Sequence, residues 1–213
     1  MRIMKKRVVF CDFDGTITSS ETFVAMLKHF APELYAEVMP DIYALRVTLR
    51  EGVRKILESI PAESYPEIIE FSRSQVIRPG LVEFFDFLET KGVPFVVVSG
   101  GLRVMVETVL GDLKERVSAI YAVDITPDGG YLKVDSAFEG DTELMSKVDV
   151  MNLYPGDETI AIGDSVTDFN MAMAASVVFA RDRLAKYLDD RQKSYIPWHD
   201  FFDVLNYLSE RWQ

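Results

Sequence analysis

Two aspartates separated by one residue follow a short apolar run near the start of the chain. The run Arg7–Cys11 leads directly into Asp12 and Asp14, with Gly15 next. Because side chains alternate along an extended chain, the two carboxylates are expected on the same side, and Gly15 allows a tight turn. The carboxyl edge of a parallel sheet is where open α/β folds bind ligands. The same residues also form a common turn sequence, so both interpretations remain open at this point.

A second acidic cluster follows a later apolar run. Gly163 precedes Asp164, and Asp168 comes four residues later, one helical turn further on. If these two carboxylates meet Asp12 and Asp14, repulsion requires either a divalent cation or protonation of at least one of them. Oxygen ligands favour Mg²⁺, so the four aspartates are predicted to form a magnesium site. Alternatively, Asp168 is a first-turn residue that complements the dipole of the following helix.

Two further positions have chemistry that suits an anionic ligand. Ser99 and Gly100 follow a third apolar run, where a hydroxyl and free backbone N–H groups can bind phosphate oxygens. Lys147, in the helical-looking segment Glu143–Leu153, can supply a positive charge, although a helical lysine is usually a solvated surface residue. With such cations in place, a carboxylate can attack a phosphate ester in spite of its negative charge.

The elements that must position these residues alternate between strands and helices. Short β-branched and aromatic runs predict four buried strands, namely Arg7–Cys11, Phe95–Val98, Thr159–Ile162 and Val177–Phe179. Helical spacing between them predicts an α/β fold, a Rossmann-like doubly wound parallel sheet with helices on both faces. Residues 19–78 depart from this rhythm and predict a small inserted helical cap, with 1–18 and 79–213 forming the core. Asp128-Gly129-Gly130 predicts a hairpin turn.

Composition limits the possible partners and the compartment. The chain has 213 residues, 48% of them hydrophobic, which is typical of one folded domain with a small insertion. Its formal charge of −11 argues against binding to nucleic acid or to an anionic membrane surface. The single Cys11 cannot form an intramolecular disulfide, and no apolar run is long enough for a signal peptide or a membrane span. A cytoplasmic location is expected.

Taken in chain order, these motifs resemble those of the haloacid dehalogenase superfamily. The matching residues are Asp12-x-Asp14, Ser99, Lys147 and Gly163-Asp164-x3-Asp168. The resemblance covers nearly the whole chain and implies a Rossmann-like core with a small helical cap.

The resemblance also implies a role for each matching residue. Asp12 would be the nucleophile and Asp14 the general acid and base, with Ser99 and Lys147 holding the phosphate. Asp164 would bind Mg²⁺ together with Asp12 and the Asp14 carbonyl. These roles imply a phosphatase that acts on a small phosphorylated metabolite through an aspartyl-phosphate intermediate.

Two subgroups of this superfamily are the most similar. The phosphoserine phosphatases share Asp12-Phe13-Asp14, a carboxylate like Glu21 and the sequence Val97–Gly101. The 2-hydroxy-3-keto-5-methylthiopentenyl-1-phosphate phosphatases of methionine salvage are more similar, through Cys11–Thr18, Glu51-Gly52-Val53, Gly163–Asp168, Phe179–Asp182 and Pro197 with Asp200-Phe201. This second likeness predicts the substrate, with phosphoserine as the alternative. A phosphomutase and a binding module without turnover are the other possibilities.

Three arginines in the insertion recur every four residues. Arg46, Arg50 and Arg54 should share one face of a helix predicted over Leu45–Ile60. They are either solvated or, in the case of Arg50 beside Glu51-Gly52-Val53, directed toward the substrate when the cap closes. Glu21 and Arg50 are therefore included among the predicted substrate-binding residues.

Overall fold

A central sheet organises the part of the chain that the computed structural model describes, residues 6–213. Its seven strands lie in the order β4-β3-β2-β1-β5-β6-β7. The strands are β1 (Arg7–Cys11), β2 (Phe95–Leu102), β3 (Ala119–Asp128), β4 (Tyr131–Asp135), β5 (Glu158–Gly163), β6 (Val177–Ala180) and β7 (Ile196–Pro197). All neighbouring pairs are parallel except β3 and β4, which form a hairpin. The four predicted strands and the hairpin are confirmed.

Helices connect these strands and cover both faces of the sheet. They are α1 (Thr22–Phe30), α2 (Pro32–Tyr43), α3 (Leu49–Leu57), α4 (Tyr65–Arg73), α5 (Leu81–Lys91), α6 (Arg103–Leu110), α7 (Lys147–Asn152), α8 (Phe169–Ala174), α9 (Asp182–Asp190) and α10 (Phe201–Arg211). Short 3₁₀ segments occupy Ala62–Ser64, Gly111–Arg116 and Val166–Asp168. No helix in residues 6–213 is both long enough and apolar enough to cross a bilayer.

The middle strand β1 divides the core into two layers. Val9 and Cys11 pack into the layer that contains α5 and α10, whereas Val8 and Phe10 pack with α7, α8 and α9. This alternation explains why β1 is a continuous apolar run, since both of its faces are buried. The Rossmann-like doubly wound α/β architecture predicted from the sequence is therefore confirmed.

The strand order places the acidic motifs together. β1 lies between β2 and β5, so the chain crosses from one side of β1 to the other between these two strands. Cys11 is aligned with Val97 of β2 and with Ile162 of β5. The residues that follow these three strands therefore emerge side by side at one edge, which is the switch point where such sheets bind ligands.

Helices α1 to α4 form the insertion after β1 and have a core of their own. Their apolar residues pack with one another and with the β3–β4 hairpin. The two connections to the sheet domain run side by side, because Thr18 and Ile77 form an antiparallel bridge and the Ser19 N–H donates to the Val76 carbonyl at 2.9 Å. The boundaries of the predicted cap domain, 19–78, stay a prediction.

Three predicted elements are present with different bounds. The helix expected over Leu45–Ile60 begins only at Leu49, because Leu45 has a positive φ of 57° and Thr48 caps the helix through a reciprocal bond with Glu51. The strand expected to end at Val98 continues to Leu102 with a shifted register, because the chain stays paired with β3. The helix expected over Glu143–Leu153 spans Lys147–Asn152.

Candidate active site

A buried lysine joins two of the predicted aspartates. Lys147, the first residue of α7, donates from Nζ to Asp12 Oδ1 at 2.5 Å and to Asp168 Oδ1 at 2.6 Å. At most 5% of each of the three side chains is exposed, so the contacts are little screened by water. Lys147 is thus not the solvated surface residue that lysines on helices usually are. No described residue hydrogen-bonds Asp12 Oδ2, which leaves this oxygen free to react or to bind a ligand.

Asp168 holds this lysine on one side and the backbone after β5 on the other. Its Oδ2 accepts from the N–H groups of Asp164 and Ser165, both at 3.0 Å. Gly163 makes the contact possible, since a Cβ there would lie 2.6 Å from Asp168 Cγ. Both Asp168 oxygens are therefore engaged, and the side chain positions Lys147 and the loop. Its predicted role as a metal ligand stays a prediction.

The carboxylates of Asp12, Asp164 and Asp168 form a compact group. One oxygen of each lies within 4.8 Å of the others. With Lys147 protonated and all three carboxylates ionised, the group carries two net negative charges, which a divalent cation would balance. Gly15 lets Asp164 approach the loop after β1, because a Cβ at this position would meet Asp164 Oδ2 at 2.5 Å. The all-oxygen donor set and its charge therefore fit Mg²⁺.

The pKa values of these groups reflect burial and mutual repulsion. Burial raises the pKa of Asp12 well above its ordinary value, as does the Asp168 carboxylate, whereas Lys147 lowers it. Burial, with a smaller effect from Asp168, raises the pKa of Asp164 to about 7, although the Thr16 hydroxyl donates to this carboxylate at 3.0 Å. Burial lowers the pKa of Lys147, but Asp12 and Asp168 more than offset this, so the pKa is raised and the ammonium persists.

Asp14 does not join the other three carboxylates. Its Oδ1 accepts from the N–H and hydroxyl of Thr22 and, at 2.9 Å, from the N–H of Phe23, so the carboxylate lies at the N-terminus of α1. Burial raises its pKa to about 6, although these hydrogen bonds act in the opposite direction. The expectation that four carboxylate side chains converge was wrong, since the free N–H groups of α1 attract the fourth. A poised pKa in this position suits proton transfer.

Ser99 and Gly100 lie at the same edge of the sheet, in the extended part of β2. Cys11, the last residue of β1, is aligned with Val97, so Ser99 lies two residues further along β2, at the edge where Asp12 and Asp14 follow β1. The Ser99 side chain is fully buried, and its Oγ accepts from the Gly101 N–H at 3.0 Å. The hydroxyl proton remains available for an anionic ligand. Binding of phosphate by Ser99 and Gly100 stays a prediction.

The two predicted residues from the insertion have different surroundings. Glu21 is exposed and lines a cleft of about 270 Å³ beside the carboxylates. Residues lining this cleft are Gly15, Ser19, Ser20, Glu21, Arg78, Asp164, Arg181, Asp182 and Arg183. Arg50 is not among them. It lies 3.6 Å from Glu139 and donates to the Gly140 carbonyl at 3.2 Å, so it contacts the loop that precedes Lys147, and its role in binding stays a prediction.

Three arginines that were not predicted as site residues, Arg78, Arg181 and Arg183, line the cleft. Arg78 is 8% exposed, and its side chain donates to the Gly15 and Thr16 carbonyls, directly after Asp14 in the chain. Arg181 and Arg183 flank Asp182, a non-glycine residue with a φ of 47° that begins α9 just after β6. The sequence signal that could have identified Arg78 is its position: it is a charged residue directly before Pro79-Gly80, at the end of the helical insertion.

Comparisons with known proteins agree with this geometry. A sequence model of the haloacid dehalogenase-like hydrolase family matches residues 9–173. A 2-hydroxy-3-keto-5-methylthiopentenyl-1-phosphate phosphatase of Microcystis aeruginosa is 53% identical over 204 residues, covering 95% of this chain and 97% of that protein. One from Geobacillus thermodenitrificans is 34% identical over 218 residues, covering 96% and 97%. A solved phospho-aspartyl intermediate analogue of phosphoserine phosphatase has a TM-score of 0.67 at 21% identity, covering 95% and 99%, and shares the fold.

Proposed function

Because the chain belongs to the haloacid dehalogenase-like hydrolase family, we propose that it removes phosphate from 2-hydroxy-3-keto-5-methylthiopentenyl-1-phosphate in a magnesium-dependent reaction. The chain is a phosphatase, the activity that the names of its relatives carry. The observation that carries the chemistry is the buried Asp12–Lys147–Asp168 chain of contacts at the switch point of the sheet. A buried carboxylate with one free oxygen and a cation at 2.5 Å on the other is arranged for nucleophilic attack.

In the first step, Asp12 Oδ2 attacks phosphorus in line with the bond to the substrate oxygen. The new bond gives an aspartyl-phosphate, and the old P–O bond breaks with its electron pair going to the departing oxygen. Lys147 offsets the charge that gathers around the nucleophile, while Asp168 keeps its ammonium in place. Asp14, whose pKa is raised to about 6, gives its proton to the departing oxygen.

In the second step, water hydrolyses the aspartyl-phosphate. Asp14, now a carboxylate, accepts a proton from the water as the water oxygen bonds to phosphorus. The Asp12–P bond breaks, inorganic phosphate leaves and both aspartates return to their starting states. Ser99 and the N–H of Gly100 are proposed to hold the phosphate oxygens through both steps, since they follow Val97, the β2 partner of Cys11, at the edge of the sheet where Asp12 follows β1.

Asp12, Asp164 and the Asp14 carbonyl are proposed as the groups that would hold Mg²⁺. When bound, it would neutralise charge on the carboxylates and on the phosphate. The chain contributes the spacing, since Thr16 and Gly15 fix Asp164 against the loop after β1. We propose Asp168 as the residue that orients Lys147 rather than as a ligand, because both of its oxygens are already hydrogen-bonded.

The inserted helices are proposed to select the leaving group. We place the cap at 19–78 and the core at 1–18 and 79–213, because the two connections meet at the Thr18–Ile77 bridge. The methylthiopentenyl substrate rests on relatives that match nearly the whole chain, at 53% and 34% identity. Phosphoserine, the alternative, is supported by structures that share the fold at 21% identity, and fits less well. A cytoplasmic enzyme with no nucleic-acid or membrane partner is the accompanying proposal.

Phosphate release from a panel of substrates tests this proposal. The panel contains the methylthiopentenyl phosphate, phosphoserine, sugar phosphates, pyridoxal phosphate and an aryl phosphate, each with Mg²⁺ and with EDTA. The highest kcat/KM is expected for the methylthiopentenyl phosphate, with loss of activity in EDTA and in Asp12→Asn. Asp112→Asn, which changes an exposed aspartate outside the site, is the matched control.

Each alternative predicts a distinct result. A preference for phosphoserine would overturn the proposed substrate but not the reaction. Isomerised product without free phosphate would indicate a phosphomutase, and tight binding without turnover of any substrate would indicate a binding module. Full activity in EDTA or in Asp12→Asn would overturn the mechanism itself.

A further inference from the structure

A buried arginine joins the catalytic loop, the insertion and the C-terminal part of the chain. Arg78 Nε donates to the Thr16 carbonyl at 2.8 Å, and Nη2 donates to the Gly15 carbonyl at 2.7 Å and to the Thr18 carbonyl at 3.2 Å. Its Nη1 donates to the His199 carbonyl at 3.1 Å. One guanidinium thus satisfies four carbonyls, three of them in the loop that follows Asp14.

The contacts of Arg78 differ from those of an ordinary surface arginine. Its side chain forms no ion pair with a carboxylate in residues 6–213, and its guanidinium lies 5.3 Å from the centre of the Trp198 ring. Burial lowers its pKa, and the neighbouring Arg181 acts in the same direction. A buried cation held by neutral carbonyls is costly, so the hydrogen bonds must fix it in place to offset the loss of water.

The position of Arg78 in the chain explains what these bonds connect. Its own N–H donates to the Ile17 carbonyl at 2.8 Å, directly beside the Thr18–Ile77 bridge. The residue therefore belongs to the return connection of the insertion, while its side chain reaches the outgoing connection and the turn Phe13–Ile17. A movement of either connection would therefore displace the Gly15 and Thr16 carbonyls, which directly follow Asp14 in the chain.

We propose that Arg78 is a positioning residue that fixes the loop carrying Asp14 and couples this loop to both connections of the helical insertion. Its guanidinium holds the carbonyls of Gly15 and Thr16, and so sets the direction in which the Asp14 carbonyl and carboxylate point. The kinetic consequence rests on the proposed phosphatase function, whereas the structural consequence does not.

Hydrogen exchange on the metal-free protein tests the structural part. Arg78→Ala should exchange about tenfold faster in peptides that cover residues 13–22, with β1 and α10 unchanged. Arg78→Lys keeps the charge but lacks the planar guanidinium, so its exchange rate in residues 13–22 should lie between those of Arg78→Ala and the wild type. Arg116→Ala is the matched control, because Arg116 also makes two side-chain hydrogen bonds and stacks on a ring, Phe85, away from the site.

Kinetics test the coupling to the reaction. Arg78→Ala should lower kcat for an aryl phosphate by about 10- to 100-fold at saturating Mg²⁺, with KM changed less than about threefold. Added guanidinium should restore part of kcat in Arg78→Ala and have no effect on Arg116→Ala. If Arg78→Ala does not fold, Arg78→Lys is used for both the exchange and the kinetic measurements.

Three results would overturn the proposal. They are unchanged exchange in residues 13–22 of a folded variant, a loss of kcat that Arg116→Ala reproduces, and a raised KM with unchanged kcat, which would make Arg78 a substrate contact. Inactivity of the wild type on every phosphate ester would refute the proposed function instead. The hydrogen-exchange result would still test the positioning role of Arg78 independently.

Discussion

Replacing Lys147 by methionine tests the electrostatics of the site most directly. The lysine side chain is 1% exposed and lies 2.5 Å from Asp12 and 2.6 Å from Asp168. Methionine keeps most of the volume but removes the only cation among residues 6–213 that contacts these two carboxylates. The variant therefore leaves three buried carboxylates within 4.8 Å of one another without a compensating charge, as long as Mg²⁺ is absent.

The expected cost follows from the burial of the pair. Removing one partner of a buried ion pair destabilises a protein by about 3–5 kcal/mol. For a chain of this length each kcal/mol lowers the melting temperature by about 2–4 °C, so Lys147→Met should melt about 6–20 °C below the wild type in EDTA. An exposed ion pair contributes about 0–1 kcal/mol to stability. Lys55→Met, which breaks the surface contact with Glu37, should therefore lower the melting temperature only slightly.

Thermal unfolding followed by tryptophan fluorescence measures this difference. Asp168→Asn and the double variant Lys147→Met with Asp168→Asn complete a double-mutant cycle. The double variant should be more stable than the sum of the single changes predicts, by about 0.5–3 kcal/mol, because the second change removes one of the uncompensated charges. The difference in melting temperature between Lys147→Met and the wild type should also shrink as pH falls. Protonation of the carboxylates relieves the repulsion that Lys147 otherwise offsets.

Two results would refute this reasoning. The first is a melting temperature for Lys147→Met equal to that of Lys55→Met in EDTA. The second is additivity of the two changes in the cycle, which would mean that Lys147 and Asp168 do not interact despite their short contact.

Three further predictions concern the proton donor, the glycine turn and the metal. Asp14→Asn should slow formation of the aspartyl-phosphate from the proposed alkyl substrate by about 10²–10⁴-fold but slow it much less with an aryl phosphate, since a good leaving group needs no proton; equal losses in this first step, measured by rapid quench, would exclude the acid role. Gly15→Ala should lower kcat by about 100-fold because its Cβ would lie 2.5 Å from Asp164 Oδ2, whereas Gly129→Ala, which also has a positive φ but no neighbour within 4 Å, should be as active as the wild type. In EDTA, the raised pKa values of Asp14 (about 6) and Asp164 (about 7) mean that the folded chain binds more protons than the unfolded one at pH values between the ordinary and the raised pKa. The melting temperature should therefore rise as pH falls through about 7 toward 5, and Mg²⁺ should raise it more at pH 8 than at pH 5; a stabilisation by Mg²⁺ that does not depend on pH would contradict this.

The parts of the fold that could be predicted from the sequence are those whose burial leaves a continuous apolar run in the chain. β1, β5 and β6 are buried on both faces, so each must be a continuous apolar run, and such runs are visible without a structure. Asp12 and Asp164 follow two of these strands directly. Parallel pairing then brings them to one edge without any further information.

The residues that sequence reasoning placed wrongly depend on contacts between distant segments. Asp14 follows the alternation of β1, but the N-terminus of α1 attracts its carboxylate away from the other three. Arg46 follows the helical spacing of Arg50, but Leu45 takes a positive φ and leaves Arg46 in the turn that precedes α3. Arg78 has no periodic pattern at all, because its four acceptors come from two separate stretches of chain.

The meeting of the two connections at Thr18 and Ile77 has a consequence for protein engineering. The Ser19 N–H and the Val76 carbonyl are 2.9 Å apart, so the inserted helices leave and rejoin the sheet domain at a single point. Segments whose ends lie this close can be exchanged for others of different length without displacing the strands. On the proposed function, a graft between Ser19 and Val76 would leave the phosphoryl-transfer groups in place on the sheet and change which ester is admitted.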